Sequence, residues 1–209
     1  MKSSFFTEED FHVFQVDGLD ARMASLKGLI RPKLELLGAD LSAFLSTHLQ
    51  QEMYFHVAKH ARRTVNPPED TWVAWSTNRR GYKALPHFQV GLNDQEVFVW
   101  FALIYECEHK SYFARQLLHH SDSAWEKIPT DFYLSEDHTK PGGTPIQDLS
   151  EEQITQRLER LQQVKKAEFL CGTLIPRSEA VTLSQTALIS RVEDVFHATL
   201  PLYHLALQP

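Results

Sequence analysis

The order of apolar and polar positions predicts a β region in the middle of the chain. Residues 86–92 alternate between apolar and polar side chains, as a half-buried strand does, and residues 71–76 predict a strand with Trp72 and Ala74 on one face and Val73 and Trp75 on the other. Residues 96–106 are apolar on both faces and predict a central strand, and Asn93-Asp94 before them is a turn signal that favours antiparallel pairing. Further strands are predicted over residues 11–16, 131–135 and 167–175.

Apolar residues three or four positions apart predict helices on either side of this β region. Residues 19–36 have this spacing, with a kink or a break expected just before Pro32, and residues 40–63 continue it until Asn66-Pro67-Pro68. A capping box over 150–153 begins another helix, and Ser184 is a candidate cap for the C-terminal one. The remaining predicted helices cover residues 110–120 and 123–128.

The mixed order of these elements predicts the fold class. It suits an α+β fold: a single compact two-layer domain with a largely antiparallel sheet and helices packed against it. The 209 residues contain no internal repeat and no linker long enough to separate two domains. We therefore expect one domain over 1–209, with residues 1–8 loosely ordered.

Composition excludes several classes of protein. A hydrophobic fraction of 43% and a charged fraction of 23% are typical of a soluble core, and the longest apolar run, nine residues over 97–105, is too short to span a bilayer. The N-terminus turns acidic at once and has no secretory apolar core. The two cysteines favour packed thiols over a disulfide, so we expect a cytoplasmic protein with no membrane partner.

Positive charge is concentrated in one window of an acidic chain. The formal net charge is −6, yet residues 56–90 carry +4, from Lys59, Arg62, Arg63, Arg79, Arg80 and Lys83 against Glu69 and Asp70. A local basic patch on an acidic protein is the pattern expected of an anion-specific site. The alternative is that these cations are solvated and paired with acids from elsewhere in the chain.

A first candidate site lies at Glu52, His56 and His60, spaced i, i+4, i+8. On a helix all three would project from one face and could hold a metal ion. The spacing is not the HExxH arrangement, and Lys59 and Arg63 beside it would oppose a cation. Ordinary hydrogen-bonded histidines on a polar helix face are the alternative.

The second candidate is an anion site. Arginine donates two parallel hydrogen bonds to phosphate or carboxylate, and His87 and Gln89 share the polar face of strand 86–92. The predicted ligand-binding residues are Lys59, Arg62, Arg63, Arg79, Arg80, Lys83, His87, Gln89, His138 and Lys140. A solvent-facing hairpin tip is the alternative for the loop around Gly81.

The loop 137–140 is a third candidate, because His138 with a neighbouring acid and hydroxyl could serve proton transfer. His138 and His60 are therefore the candidate catalytic residues, although Asp and Thr are also common turn formers. Dinucleotide fingerprints, P-loops and nucleophile elbows are absent, and no cofactor is predicted.

Several longer strings run through almost the whole chain. They are DFHVF (10–14), DGLDARM (17–23), HVAKHARR (56–63), NPP (66–68), DTWVA (70–74), RGYK (80–83), PHFQ (86–89), VFVWF (97–101), DHTKP (137–141) and VKKAE (164–168). Together, over about residues 9 to 205, they resemble the YktB-like family of uncharacterised bacterial proteins. The resemblance implies a single α/β domain of Gram-positive cytoplasmic type, and it carries over no activity.

Three functions are consistent with these observations. The preferred one is a domain that binds an anionic small molecule or nucleotide through the cationic patch. The second is an enzyme that acts on a phosphorylated substrate with a histidine as acid or base. The third is a protein- or nucleic-acid-interaction module, which would need an exposed aromatic patch beside the basic window. The oligomeric state is not predicted.

Overall fold

The computed structural model describes residues 4–119 and 125–207, and its frame is a seven-stranded antiparallel sheet. The strands are β1 (Tyr54–Val57), β2 (Asp70–Ser76), β3 (His87–Asn93), β4 (Glu96–Leu103), β5 (Tyr133–Ser135), β6 (Thr144–Pro145) and β7 (Phe169–Pro176). Their order across the sheet is β1-β2-β3-β4-β7-β5-β6. The apolar strand β4 is central as predicted, because it pairs with β3 on one side and β7 on the other.

Helices cover one face of this sheet. They are α1 (Glu8–His12), α2 (Leu19–Ser25), α3 (Arg31–Leu49), α4 (Lys110–His119), α5 (Glu151–Gln163), α6 (Arg177–Ala180) and α7 (Gln185–Ala206). Helix α3 packs on β1 and β2, while α7 packs on β3, β4 and β7. The predicted two-layer α+β domain is thereby confirmed.

The main core lies between the helices and the sheet. Alternate residues of each strand enter it, among them Trp75, Phe88 and Phe101, all fully buried. The indole nitrogen of Trp75 donates to the carbonyl of Gly38 in α3 at 3.0 Å, so its polar atom is satisfied inside the core. None of the helices in the described part of the chain is both long and apolar enough to cross a bilayer.

The predicted helix over residues 40–63 is wrong beyond Leu49. Gln50 adopts a left-handed conformation with φ of 52° and ends α3. Residues 54–57 then form β1, which pairs antiparallel with β2. Ladder pairing with a neighbouring strand overrides the helical spacing of the local sequence.

The predicted strand over residues 11–16 is also wrong, since this segment belongs to α1 and a 3₁₀ turn (Val13–Gln15). A capping box between Thr7 and Asp10 begins α1. Residues 4–8 are not loose, because Phe5 and Phe6 are buried in the core. Three parts of these predictions lie outside the described residues: residues 1–3, the first two positions of the predicted helix over 123–128, and the last position of the predicted helix over 110–120.

The helix is not broken just before Pro32, a break being one of the two predicted outcomes. Pro32 lies in the first turn of α3, directly after a π-helical turn (Leu26–Ile30) that joins α2 to α3. Proline lacks an amide hydrogen and crowds the carbonyl four residues earlier, and the wider π turn accommodates both effects.

The opposite face of the sheet carries a second, smaller apolar cluster. Phe98, Trp100 and Leu170 are its centre, with Trp72 and Tyr133 packed against it. Mostly loops cover this face, together with Arg22 of α2, and they leave a cavity open above the cluster. The two cysteines lie elsewhere, in the main core, as free buried thiols, which confirms the predicted packing.

Candidate functional site

A cavity of about 370 Å³ lies on the loop-covered face of the sheet. Its floor is apolar and comes from Phe98 and Trp100 of β4 and Leu170 of β7. Its walls are polar and come from the start of β2, the β3–β4 turn and the loop after β5. The polar residues of these walls include Asp70, Gln89, Asp94, Glu96, Asp137, His138 and Lys140. The volume is that of a small-molecule site.

A histidine–carboxylate pair forms one wall. The Nδ1 atom of His138 lies 2.8 and 2.9 Å from the two carboxylate oxygens of Glu168, which is 6% exposed. Glu168 also accepts the backbone N–H groups of His138 at 2.8 Å and Tyr105 at 3.0 Å. Because Nδ1 donates to the carboxylate, Nε2 is the ring nitrogen that His138 can offer to the cavity.

Environment shifts both members of the pair. Burial opposes protonation of His138, but the hydrogen bond and the negative charge of Glu168 outweigh it and raise the pKa of the imidazole. Burial also opposes ionisation of Glu168, but the hydrogen bonds from His138 outweigh it and lower the pKa of the carboxyl. The protonated form of His138 is therefore favoured relative to a free imidazole, while Glu168 stays ionised at neutral pH.

A second titrating group lies at the beginning of β2. Burial raises the pKa of Asp70 to about 6, against the lowering effect of the charges of His138 and Arg63. Asp70 in turn favours the protonated form of His138. The cavity thus has a carboxyl group with a pKa of about 6 and a histidine with a raised pKa, and each influences the other, an arrangement common in active sites.

Buried polar residues of β3 lie beside this wall. His87 donates from Nδ1 to the carbonyl of Leu85 at 2.8 Å, and its Nε2 accepts the amide nitrogen of Gln89 at 2.9 Å. Burial lowers the pKa of His87 to about 4, so this ring is neutral and fixed in one tautomer. With its nitrogen committed to His87, Gln89 has its amide oxygen left as an acceptor for the cavity.

The charge of the cavity is negative. Five carboxylates line it, on Glu69, Asp70, Asp94, Glu96 and Asp137, against the cations Arg22 and Lys140. Lys140 is on the rim and pairs with Asp137 at 3.2 Å. Such a lining repels a phosphate and attracts an ammonium or hydroxyl group.

A separate groove of about 880 Å³ lies at the β1 edge of the sheet. Phe55, Val57 and Tyr82 supply its apolar surface, and Arg31, Lys59, Arg80 and Lys83 supply positive charge beside His56 and the single carboxylate of Glu35. We refer to it as the basic groove.

The predicted anion-binding residues divide between these two places. Lys59, Arg80 and Lys83 line the basic groove, and Gln89, His138 and Lys140 line the cavity. The others line neither: Arg62, Arg63, Arg79 and His87. Arg79 lies over the ring of Tyr54, and Arg63 reaches the carbonyl of Pro67. The ten residues therefore do not line one common cavity or groove.

The predicted metal-binding face does not form. Glu52 precedes β1, His56 is in β1, and His60 is in the turn after it with a left-handed φ of 50°. Each contacts a different partner: Glu52 accepts the Tyr54 hydroxyl, His56 contacts the Asn78 carbonyl and His60 contacts the Thr71 hydroxyl. Without a helix, the i, i+4, i+8 spacing does not bring the three together.

His60 also differs from His138 in the direction of its pKa shift and in its position. Burial, with the charges of Arg63 and Arg31, lowers the pKa of His60 to about 4, so the ring is neutral at physiological pH. It lies edge-on to Trp72 and does not line the cavity.

Another set of potential ligand atoms lies on Asp137, His138 and Glu168, within 4.8 Å of one another. Both oxygens of Glu168 already accept N–H groups, and one of these donors is the His138 ring itself. This internal satisfaction favours an oriented histidine over a metal centre.

Sequence reasoning missed Glu168 and Asp70. It placed an acid beside His138 at Asp137, whereas the actual partner is 30 positions further on, at the start of β7. A carboxylate at the first residue of a largely apolar strand, or directly before it, was the available signal in both cases, since such a group must find a partner or a cavity.

Comparison with known proteins places the whole chain in one family. Residues 6–203 match the family described as "Domain of unknown function (DUF1054)". A UPF0637 protein of Bacillus licheniformis is 47% identical over 205 residues, which is 98% of this chain and 97% of that protein. A UPF0637 protein of Bacillus mycoides is 48% identical over 200 residues, 96% of each. The resemblance to an uncharacterised bacterial family is confirmed, and the chain belongs to the DUF1054 family.

Proposed function

We propose that this protein is an enzyme that binds a small amine- or hydroxyl-bearing molecule in the cavity and that His138 exchanges a proton with it. The observation that carries the proposal is the His138–Glu168 pair, in which Nδ1 is fixed by a buried carboxylate and Nε2 is left for the cavity. A carboxylate that orients an imidazole in this way sets its tautomer and stabilises the imidazolium that forms.

The substrate class follows from the lining. Carboxylates outnumber cations around the cavity, so a phosphorylated substrate is disfavoured there and an ammonium group is favoured. The ring of Trp100 on the floor suits the apolar part of such a molecule or a cation–π contact. Gln89 supplies an amide oxygen that can accept a hydrogen bond from the same ligand.

The proton step needs only groups of this chain. Neutral His138 accepts a proton at Nε2 from a hydroxyl, an ammonium or a water bound in the cavity, and the positive charge is balanced by Glu168. Protonated Asp70 can return a proton on another side of the ligand. General acid–base catalysis of this kind contributes about 10²- to 10⁴-fold in rate.

The test is turnover of a defined panel of small amines, amino sugars and polyols by the purified protein across pH 5 to 9. We expect conversion of at least one compound by the wild type, loss of about 10²-fold or more in His138→Gln, and a pH profile with one limb near pH 6 from Asp70. The control is His204→Gln, since His204 is an exposed residue of α7.

Two results would refute the proposal. One is equal turnover by the wild type and His138→Gln. The other is that no compound of the panel stabilises the wild-type protein against heat at any pH, since a ligand at a hundredfold excess over its Kd should add about 2.7 kcal/mol.

A further inference from the structure

We propose that the basic groove binds the phosphate groups of a nucleotide and that the base of this nucleotide lies on Phe55. The groove shares no lining residue with the cavity, so this inference does not rest on the acid–base function. Four features of the groove support it: its charge, the lack of carboxylate partners for most of its cations, its aromatic surface and the rigidity of its loop.

The charge of the groove is opposite to that of the whole chain. Among the described residues, its four cations face the carboxylate of Glu35, a formal net charge of +3, while the chain carries a formal −6. They come from three separate segments: Arg31 from α3, Lys59 from the exit of β1, and Arg80 and Lys83 from the β2–β3 loop. Convergence from distant segments distinguishes a site from the solvated face of one element.

Three of the four cations have no carboxylate partner among the described residues. Within the described ranges 4–119 and 125–207, Arg31, Lys59 and Arg80 have no carboxylate within 4.0 Å. Lys83 pairs with Glu106 at 3.5 Å, but both side chains are substantially exposed, and such a pair contributes little. Their charge is therefore available to an anion. Arginine provides a planar fork that matches phosphate.

The aromatic surface of the groove indicates the rest of the ligand. Phe55 is 39% exposed although it is a large apolar side chain on an edge strand. Its ring lies on Gly38 of α3 so closely that a Cβ added at that glycine would come within 2.4 Å of it. Phe55 thus packs against α3 and also lines the groove, where an aromatic side chain could stack with a base.

The loop that carries Arg80 is held in place despite its exposure. The amide N–H of Arg80 donates to the side chain of Asn78 at 2.8 Å, and the hydroxyl of Ser76 donates to the carbonyl of Gly81 at 3.1 Å. The next residue, Tyr82, is buried, and its hydroxyl accepts the indole N–H of Trp72 at 2.8 Å. Little ordering is needed when a ligand binds, which favours affinity.

Calorimetric titration of the full-length protein with ATP and with inorganic triphosphate, at about 50 mM and 200 mM salt, tests the site. We expect ATP to bind more tightly than triphosphate. The double variant Lys59→Ala/Arg80→Ala should weaken ATP binding by at least about tenfold. The binding constant should also depend less steeply on salt, by the amount expected for the loss of about two phosphate contacts. The matched control is Lys166→Ala/Arg191→Ala, which removes the same two residue types from exposed positions outside the groove.

A second variant separates base from phosphate. Phe55→Leu keeps an apolar side chain but removes the aromatic plane, so we expect it to weaken ATP binding and leave triphosphate binding unchanged. A free nucleotide and a nucleotide within a strand present the same chemistry to the groove. A short single-stranded RNA is therefore titrated in parallel to distinguish them.

The binding titrations either support the nucleotide site or overturn it. Weak or absent binding of ATP, triphosphate and RNA at the lower salt would overturn the inference, as would equal losses in the groove variant and its control. His138→Gln should bind ATP as the wild type does. A failure of the acid–base proposal is therefore visible separately from a failure here.

Discussion

The side chain of Glu168 is the most informative position to perturb, because three N–H groups converge on it. It accepts the backbone N–H groups of Tyr105 and His138 and the Nδ1–H of the His138 ring, all between 2.8 and 3.0 Å. In Glu168→Gln the size is kept, but one acceptor oxygen becomes an NH₂ donor that faces N–H donors. One buried donor then has no acceptor.

The magnitude follows from this mismatch. A buried donor without an acceptor costs about 1–3 kcal/mol, and the charge-assisted bond to His138 is lost as well, so we expect the free energy of unfolding to fall by about 2–4 kcal/mol. The pKa of His138 should fall below its ordinary value, because the burial that opposes protonation remains while the carboxylate that favoured it is gone.

The loss should depend on pH. A histidine whose folded pKa is raised stabilises the protein fully below its ordinary pKa of 6.5, and this contribution disappears as the pH rises through the folded value. The lowered pKa of Glu168 stabilises the protein above its ordinary value of 4.5 and is lost as the pH falls through the folded value. The difference between wild type and variant should therefore be largest between these two pH values and smaller at pH 9.

Urea unfolding at pH 5.5 and pH 9, together with an NMR titration of the His138 ring, measures both effects. Glu159→Gln, at an exposed position of α5, is the control for loss of one carboxylate. An unchanged His138 pKa in Glu168→Gln, or a stability loss as large at pH 9 as at pH 5.5, would refute the reasoning.

Three further predictions concern the fold. Gly172→Ala should destabilise the protein by more than about 2 kcal/mol in urea unfolding, because its Cβ would lie 2.0 Å from the backbone oxygen of Val99, whereas Gly81→Ala meets nothing within 4 Å and should be near neutral. His87 is buried and neutral with a pKa of about 4, so the free energy of unfolding should fall by about 3 kcal/mol as the pH falls from 6.5 to 4, and His87→Gln should flatten that part of the pH–stability curve. Ser150→Ala removes the cap of α5 and should cost about 1 kcal/mol in thermal unfolding, and no change would contradict the capping box.

Elements whose stability is local could be predicted from the sequence. The capping box at Ser150 and the cap at Ser184 begin helices as predicted, because the side chain bonds to backbone only three residues away. The strands β2, β3 and β4 also agree with their apolar patterns, since each buries alternate side chains on a helix-covered face. Local periodicity and capping carry this information directly.

Elements whose conformation depends on a distant partner could not. The spacing through residues 40–63 is helical, yet β1 forms there because β2 offers a ladder of hydrogen bonds and Gln50 ends the preceding helix. The alternation over residues 11–16 is equally compatible with a short helix packed in the core. A six-residue pattern does not distinguish these cases.

The candidate sites divide in the same way. Residue chemistry alone identified His138 as a proton-transfer candidate and a basic window as an anion candidate. Only the tertiary structure brought Glu168 to His138 across 30 residues, placed Arg31 beside Lys59 and Arg80, and directed four of the ten predicted residues to neither site. The physical reason is that hydrogen bonding and charge act over a few ångströms in space, and chain folding decides which residues come that close.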